Sequence, residues 1–334
     1  MAEHPSSKRR REPTVDEYFE GVLRRNIATF AQALTLIESN HPRHEAFAGE
    51  LLTKLLPHAG NSIRVGITGA PGVGKSTFIE ALGMHLIDAG TRIAVLTVDP
   101  SSGISGGSIL GDKTRMPNLA VESNAYIRPS PSAGTLGGVA RKTRESILVC
   151  EAAGHDVILI ETVGVGQSET MVADMTDCFL ALMMPGAGDE LQGIKRGLLE
   201  LVDVIAVNKA DGSNRTAAEV AARQYRTAFE SLTGRDRANS PIVLTCSALA
   251  NEQIDSVWEA IDNLYQHRRE GGELEKRRKR QNLRWLWAAV DEQLRQALER
   301  HPKVRAMRAE LERDVLEGKV PPEVAARRIL EAFK

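Results

Sequence analysis

The stretch Ser62-Ile63-Arg64-Val65-Gly66-Ile67-Thr68-Gly69-Ala70-Pro71-Gly72-Val73-Gly74-Lys75-Ser76-Thr77 runs from an apolar segment into a Gly-rich turn and then into Phe78-Ile79-Glu80-Ala81-Leu82-Gly83-Met84-His85-Leu86. Ile79, Leu82, Gly83 and Leu86 recur at helical spacing, so the order is strand, turn, helix. A G-x-x-x-x-G-K-S pattern in that setting is a phosphate site. Glycines let the backbone wrap until its N–H groups converge on phosphate oxygens, and the helix N-terminus adds positive potential. Lys75 supplies a mobile cation and Ser76 a hydroxyl for Mg2+.

Outward from this stretch, the totals set limits. A chain of 334 residues fits one large α/β domain with appendages, or two domains. A formal charge of −1 gives no field that would draw the whole chain to nucleic acid or a membrane. The basic clusters Lys8–Arg11 and Glu275–Arg280 read as a solvated tail and a solvated helix face. Cys150, Cys178 and Cys246 lie far apart among apolar neighbours, as buried reduced thiols do. No apolar run reaches membrane-spanning length, and the mixed-charge N-terminus makes a poor leader, which points to the cytoplasm.

Further apolar runs read as strands buried on both faces, each ending in chemistry-bearing residues. Arg92–Val98 ends at Asp99, placed toward the nucleotide because ligands lie beyond the carboxyl ends of such strands. Ser105–Arg115 is Gly-rich, either a switch loop that includes Asp112 or a surface loop without a role. Ala125–Arg128 is a short strand and 139–153 a helix. Asp156–Gly164 ends in Glu161 and Gly164, an acid to hold a metal's water shell and a glycine N–H to sense a terminal phosphate. Cys178–Met184 precedes Pro185–Arg196, where Asp189 and Gln192 form a capping box, a mobile loop, or both.

Asp203–Val207 leads into Asn208-Lys209-Ala210-Asp211, which places the Asp211 carboxylate to accept hydrogen bonds from N1–H and the exocyclic amine of guanine. Adenine lacks that donor pair, and an unmet buried carboxylate costs about 1–3 kcal/mol or more. Ile242–Cys246 then brings Ser247, Ala248 and Leu249, whose backbone can approach the base carbonyl. The expected fold is an α/β P-loop NTPase with a mostly parallel, doubly wound sheet flanked by N- and C-terminal helical extensions. The expected divisions are a disordered tail at 1–13, a helical cap at 14–60, a nucleotide domain at 61–268 and a helical arm at 269–334. In the cap, Tyr18, Val22, Ile27, Phe30, Leu34, Ile37, Phe47, Leu51, Leu52, Leu55 and Leu56 suggest helices broken near Pro42. In the arm, Leu283, Leu286, Trp287, Val290, Leu294 and Ala297 or Leu298 form an apolar stripe with Trp285 outside it, and the arm reads as a dimerisation or docking element.

The phosphate loop, Val98–Ser102, Gly107–Met116, Ile127–Pro131, Glu161–Glu169, Pro185–Lys195 and Asn208–Asp211 together resemble the MeaB/MMAA (ArgK-type) branch of the G3E P-loop GTPases. The resemblance implies a homodimeric GTPase, with GTP and GDP as its nucleotides, acting as a chaperone of methylmalonyl-CoA mutase or a related adenosylcobalamin-dependent acyl-CoA mutase. It also implies that GTP turnover gates cobalamin loading, with a cobalamin adenosyltransferase as a further partner. Ser76, Asp99, Asp112 and Glu161 would surround Mg2+, and Lys195 within a switch at 185–196 would engage nucleotide or catalytic geometry. Glu161 stands where most small GTPases carry Asp. Val165 stands where many carry the glutamine that orients water, so slow intrinsic hydrolysis completed by a partner is expected, with Gln167 as a fallback.

Two other functions compete. A nickel-enzyme metallochaperone GTPase needs metal ligands, yet there is no C-x-x-C and the eight histidines are scattered. A P-loop kinase is disfavoured by Asn208, Lys209 and Asp211, since kinases of this fold usually take ATP.

Overall fold

The computed structural model describes residues 13–39, 41–98, 114–129, 136–162, 168–186, 201–232 and 240–334. The chain divides into two compact units, one up to Arg278 and one from Lys279 to Lys334.

The first unit opens with helices α1 (Val15–Leu23), α2 (Ile27–Glu38) and α3 (Pro42–Leu55). Local signals set their starts. Thr14 Oγ1 accepts from Glu17 N at 3.2 Å while Thr14 N donates to Glu17 Oε2 at 2.7 Å, a reciprocal cap. Asn26 Oδ1 caps α2 and Pro42 opens α3. Tyr18, Val22, Phe30, Leu34, Ile37, Leu51 and Leu55 are buried, whereas Ile27 and Leu56 from the same apolar pattern remain exposed.

Seven strands follow: β1 (Ile63–Gly69), β2 (Ile93–Val98), β3 (Ala125–Pro129), β4 (Val157–Thr162), β5 (Cys178–Met183), β6 (Val204–Val207) and β7 (Ile242–Thr245). They pair in the order β3-β2-β4-β1-β5-β6-β7, every ladder parallel. Between them lie α4 (Lys75–Asp88), α5 (Leu136–Ala152), α6 (Ser168–Ala173) and α7 (Arg215–Leu232), and α8 (Ile254–Glu270) follows β7. Side chains alternate along β1, so its two faces meet different helices. Val65 and Ile67 pack with Phe78, Ile79 and Leu82 of α4 and with Val257 and Ile261 of α8. Gly66 lies against Phe179 and against Val172 of α6. With both faces covered, β2, β4, β5 and β6 are buried at every residue, which is why they read as unbroken apolar runs.

One arrangement recurs at the amino ends of the strands. Asp156, Asp177 and Asp203 stand immediately before β4, β5 and β6, and each exchanges two hydrogen bonds with the backbone of a neighbouring strand. Each Asp N–H donates to a carbonyl, of Arg92, Arg64 and Phe179 respectively, at 2.8, 2.8 and 2.9 Å. Each carboxylate accepts the N–H of that same residue at 2.9 Å. The pairing fixes register, since a one-residue slip would break both bonds.

Arginines neutralise two of these acids. Arg278 grips Asp177 through Nε at 2.8 Å and Nη2 at 2.6 Å and also donates to the Gly60 and Ser62 carbonyls. Arg268 pairs with Asp203, and Arg64 holds Glu151 by two bonds of 2.8 and 2.9 Å. The expectation that 275–280 is a solvated helix face holds for the exposed Glu275, Lys276, Lys279 and Arg280 and fails for Arg277, bonded to the Thr176 carbonyl, and Arg278, which are partly buried. Their partners lie about a hundred residues away in the chain, beyond the reach of a local charge pattern.

Helix α9 (Glu273–Arg300) runs through the division into the second unit, which continues with α10 (Pro302–Leu316) and α11 (Pro322–Phe333). Prolines open both later helices, and His301 meets Phe333 edge-on at 5.4 Å. The apolar stripe of α9 is not a core stripe. Leu283, Leu286, Trp287 and Leu294 are 55–61% exposed, and Trp285, off the stripe, is half-buried. Helical periodicity reports an apolar face without saying what covers it. Among the described residues no helix is long and apolar enough to cross a membrane.

Candidate functional site

The chain turns at β1 to pass to either side of the sheet, so the carboxyl end of β1 lies at the crevice where open α/β sheets bind ligands. Gly69 ends β1 at φ 152°, and a Cβ there would come within 2.5 Å of the Leu182 carbonyl oxygen on β5. Gly74 caps α4 at φ 95°, where a Cβ would lie 2.9 Å from Asn208 Nδ2. Both positions demand glycine, and between them Ala70, Pro71, Gly72 and Val73 form the turn that aims the first amides of α4 into the crevice.

Lys75, the first residue of α4, is buried, and its Nζ donates to the Gly69 carbonyl at 2.7 Å and the Ala70 carbonyl at 3.3 Å. Burial pushes its ammonium below the usual lysine range, Glu161 and Glu169 oppose that shift, and Arg115 adds to it. Ser76 Oγ lies 3.3 Å from Glu161 Oε1, which descends from β4. A hydroxyl beside a carboxylate is an oxygen donor pair suited to a hard divalent cation. Behind them Thr162 Oγ1 donates to Thr68 Oγ1 at 3.0 Å, joining β4 to β1 at the depth of the site. The two residues not anticipated here are Glu169, whose signal was its place in the Glu161–Glu169 segment, and Thr68, which carried none.

On the other side of the loop, Asn208 is 2% exposed and braces rather than faces the crevice. Its Nδ2 donates to the Val73 carbonyl at 2.9 Å, and its Oδ1 accepts from Ala248 N at 3.0 Å. Lys209, at φ 60°, donates from Nζ to the Gly72 carbonyl at 2.7 Å. Ser247 Oγ donates to Asp211 Oδ1 at 2.7 Å and accepts from Ala250 N at 3.1 Å, which fixes one carboxylate oxygen of the half-buried Asp211. Leu249 is 83% exposed at the rim, and Thr77 lies one residue further along α4. The arrangement gathers Gly69–Thr77, Glu161, Asn208, Lys209, Asp211 and Ser247–Leu249 around one crevice. Asp99, Asp112, Gly164 and Lys195, with most of the segments 105–115 and 185–196 expected as switches, lie outside the described residues.

Comparison with known proteins bears on what this crevice holds. Residues 30–303 match the family model described as methylmalonyl-CoA mutase-associated GTPase MeaB. The GTPase ArgK of Escherichia coli is 50% identical over 283 residues, covering 85% of this chain and 86% of that protein. The mouse methylmalonic aciduria type A homolog, a mitochondrial protein, is 44% identical over 330 residues, covering 96% of this chain and 80% of its own length. A solved structure of a LAO/AO transport system kinase superposes with a TM-score of 0.75 at 39% identity, covering 96% of this chain and 98% of that one. Set on a phosphate loop braced by Asn208 and Lys209 and a carboxylate held by Ser247, these matches identify the chain as a GTPase belonging to the methylmalonyl-CoA mutase-associated family.

Proposed function

We propose that this GTPase is a chaperone of methylmalonyl-CoA mutase or a related adenosylcobalamin-dependent acyl-CoA mutase, and that its nucleotide cycle gates loading and protection of the mutase's cofactor. The observation that carries the reading is the match of residues 30–303 to a family defined by association with that mutase. In this reading the backbone of Gly69–Thr77 cradles the phosphates, and Lys75 exchanges its two carbonyl partners for phosphate oxygens. Asp211 accepts from guanine, with Ser247–Leu249 at the base. Ser76 and Glu161, joined by Asp99 and Asp112, hold Mg2+, which supplies neutralising charge to the phosphates. Gly164 senses the terminal phosphate, and Lys195 belongs to the switch that meets the partner. Residues 269–334 serve as the arm of a cytoplasmic homodimer, and a cobalamin adenosyltransferase is a further partner.

Val165 in place of a water-orienting glutamine leaves hydrolysis slow until the partner completes the site. Hydrolysis by the full chain, measured alone and with the purified cobalamin-dependent mutase of the same organism, should rise at least about tenfold on addition of the mutase. An unchanged rate, together with no co-elution in GDP or in a non-hydrolysable GTP analogue, overturns the proposal.

A further inference from the structure

A second cavity, of about 470 Å3, opens at the opposite end of the sheet from the phosphate loop. It lies between the α1–α2 turn, the start of β2, the turn before β3 and the α5–β4 turn. Its inner wall is aromatic: Phe30, 3% exposed, meets Tyr126 edge-on at 4.6 Å and the His155 ring at 5.4 Å. Ile27 and Val121, 67% and 81% exposed, add apolar surface at its edge.

Two guanidinium groups converge on it. A Cβ built on Gly154 would lie 3.1 Å from Arg25 Nη2 and 3.2 and 3.4 Å from Arg92 Nη1 and Nη2, so both groups crowd one point of the wall. Among the described residues no carboxylate comes within 4.0 Å of Arg25, which holds the uncommon φ of 61°. Arg92 meets Asp156 only at 3.6 Å through Nε, and its buried Nη1 has no hydrogen-bond partner. Elsewhere at this end of the sheet, Arg64, Arg268 and Arg278 each hold a carboxylate at hydrogen-bonding distance. Two carboxylates, Asp156 and Glu122, equal the two arginines in number, but neither pairs with Arg25 and Asp156 reaches the Arg92 guanidinium only at 3.6 Å. Guanidinium donors without a close carboxylate keep hydrogen-bonding capacity for a ligand, and an arginine fork suits an oxyanion.

We propose that this cavity binds a small organic anion, a carboxylate or phosphate monoester carrying an apolar or aromatic group. The oxyanion sits on Arg25 and Arg92, and the apolar part rests against Ile27, Phe30 and Tyr126. The volume falls in the range of small-molecule pockets, about 300–1,000 Å3.

Calorimetry on the full chain saturated with GDP and Mg2+, so that the phosphate loop is filled, tests this with phenyl phosphate, benzoate and neutral benzyl alcohol as probes. At least one anion should bind about tenfold or more tightly than the alcohol, and which one does so distinguishes phosphate from carboxylate. Arg25→Asn, which tolerates the left-handed backbone, should weaken that anion about tenfold, and Glu122→Gln should tighten it. Arg92→Gln should weaken it similarly, with GDP affinity in the same instrument reporting that each variant is folded. Anions that bind no better than the alcohol, or that are indifferent to Arg25→Asn in a variant that still binds GDP, overturn the proposal.

Discussion

At the amino ends of β1, β5 and β6, acids that are buried or partly so meet arginines: Asp177 with Arg278, Asp203 with Arg268, and Glu151 with Arg64. At the carboxyl ends of the same sheet, the buried Lys75 is held by two carbonyls, and the Ser76 hydroxyl donates to Glu161 at 3.3 Å. One end closes charge with opposite charge across the chain, and at the other the Lys75 ammonium donates to neutral carbonyls. A carbonyl cradle positions an ammonium yet leaves its net charge for an arriving phosphate, whereas a bidentate carboxylate cancels it. The same layer of strands thus carries its stabilising charges at one end and its ligand-directed charges at the other.

The contrast can be broken most sharply at Lys75. Lys75→Ala should lower GTP hydrolysis about a thousandfold or more, as loss of a group that stabilises transferring phosphate does, while urea unfolding of the nucleotide-free protein changes little. A large stability loss in that variant would mean that the cradle is structural after all. Next in size is Asp177→Ala, which strands Arg278 and the Arg64 amide; unfolding free energy should fall by about 3 kcal/mol. Removing the exposed Lys54–Asp16 pair by Asp16→Ala should leave unfolding in the same assay nearly unchanged. Equal effects at the two sites would show that burial adds nothing to the Asp177–Arg278 pair.

The smallest effect is one of pH. Burial lowers the folded pKa of Lys75, so in the nucleotide-free protein stability rises with pH between that lowered value and the unfolded one. Bound phosphates favour the ammonium and raise the pKa again, so GTP binding takes up a proton over that window. GTP affinity should therefore fall as pH rises through it, by at most about tenfold per pH unit, with proton uptake visible as a buffer-dependent binding enthalpy. A pH-independent affinity would show that the carbonyls, not the phosphates, set the charge of Lys75.

The features legible in the sequence are those whose causes are local. Strands covered on both faces must be apolar throughout, so β2, β4 and β5 announce themselves. The glycines at 69 and 74 are required by backbone geometry a few residues long. Asn208 was placed beside the nucleotide, yet its side chain spans from Val73 to Ala248, contacts set by two other strands' endings and invisible in a local pattern. The run 275–280 looked solvated because its partners, Thr176 and Asp177, stand about a hundred residues earlier. The stripe on α9 was legible as a face, but its exposure is decided by what packs there, not by periodicity.

The pairing of Asp177 with Arg278 also has a consequence in time. A chain emerging from the ribosome completes its last strand, β7, at Thr245, with every ladder of the sheet available. Arg268 and Arg278 have not yet appeared, so two acids at the amino ends of β5 and β6 have no cation to meet. Burying them alone is costly, and the sheet gains its full stability only after some thirty more residues have been made. A chain cut short within α8 would contain every strand and the whole phosphate loop and still hold an unbalanced core. The arginines of α8 and α9 thus withhold full stability from any product that stops before them.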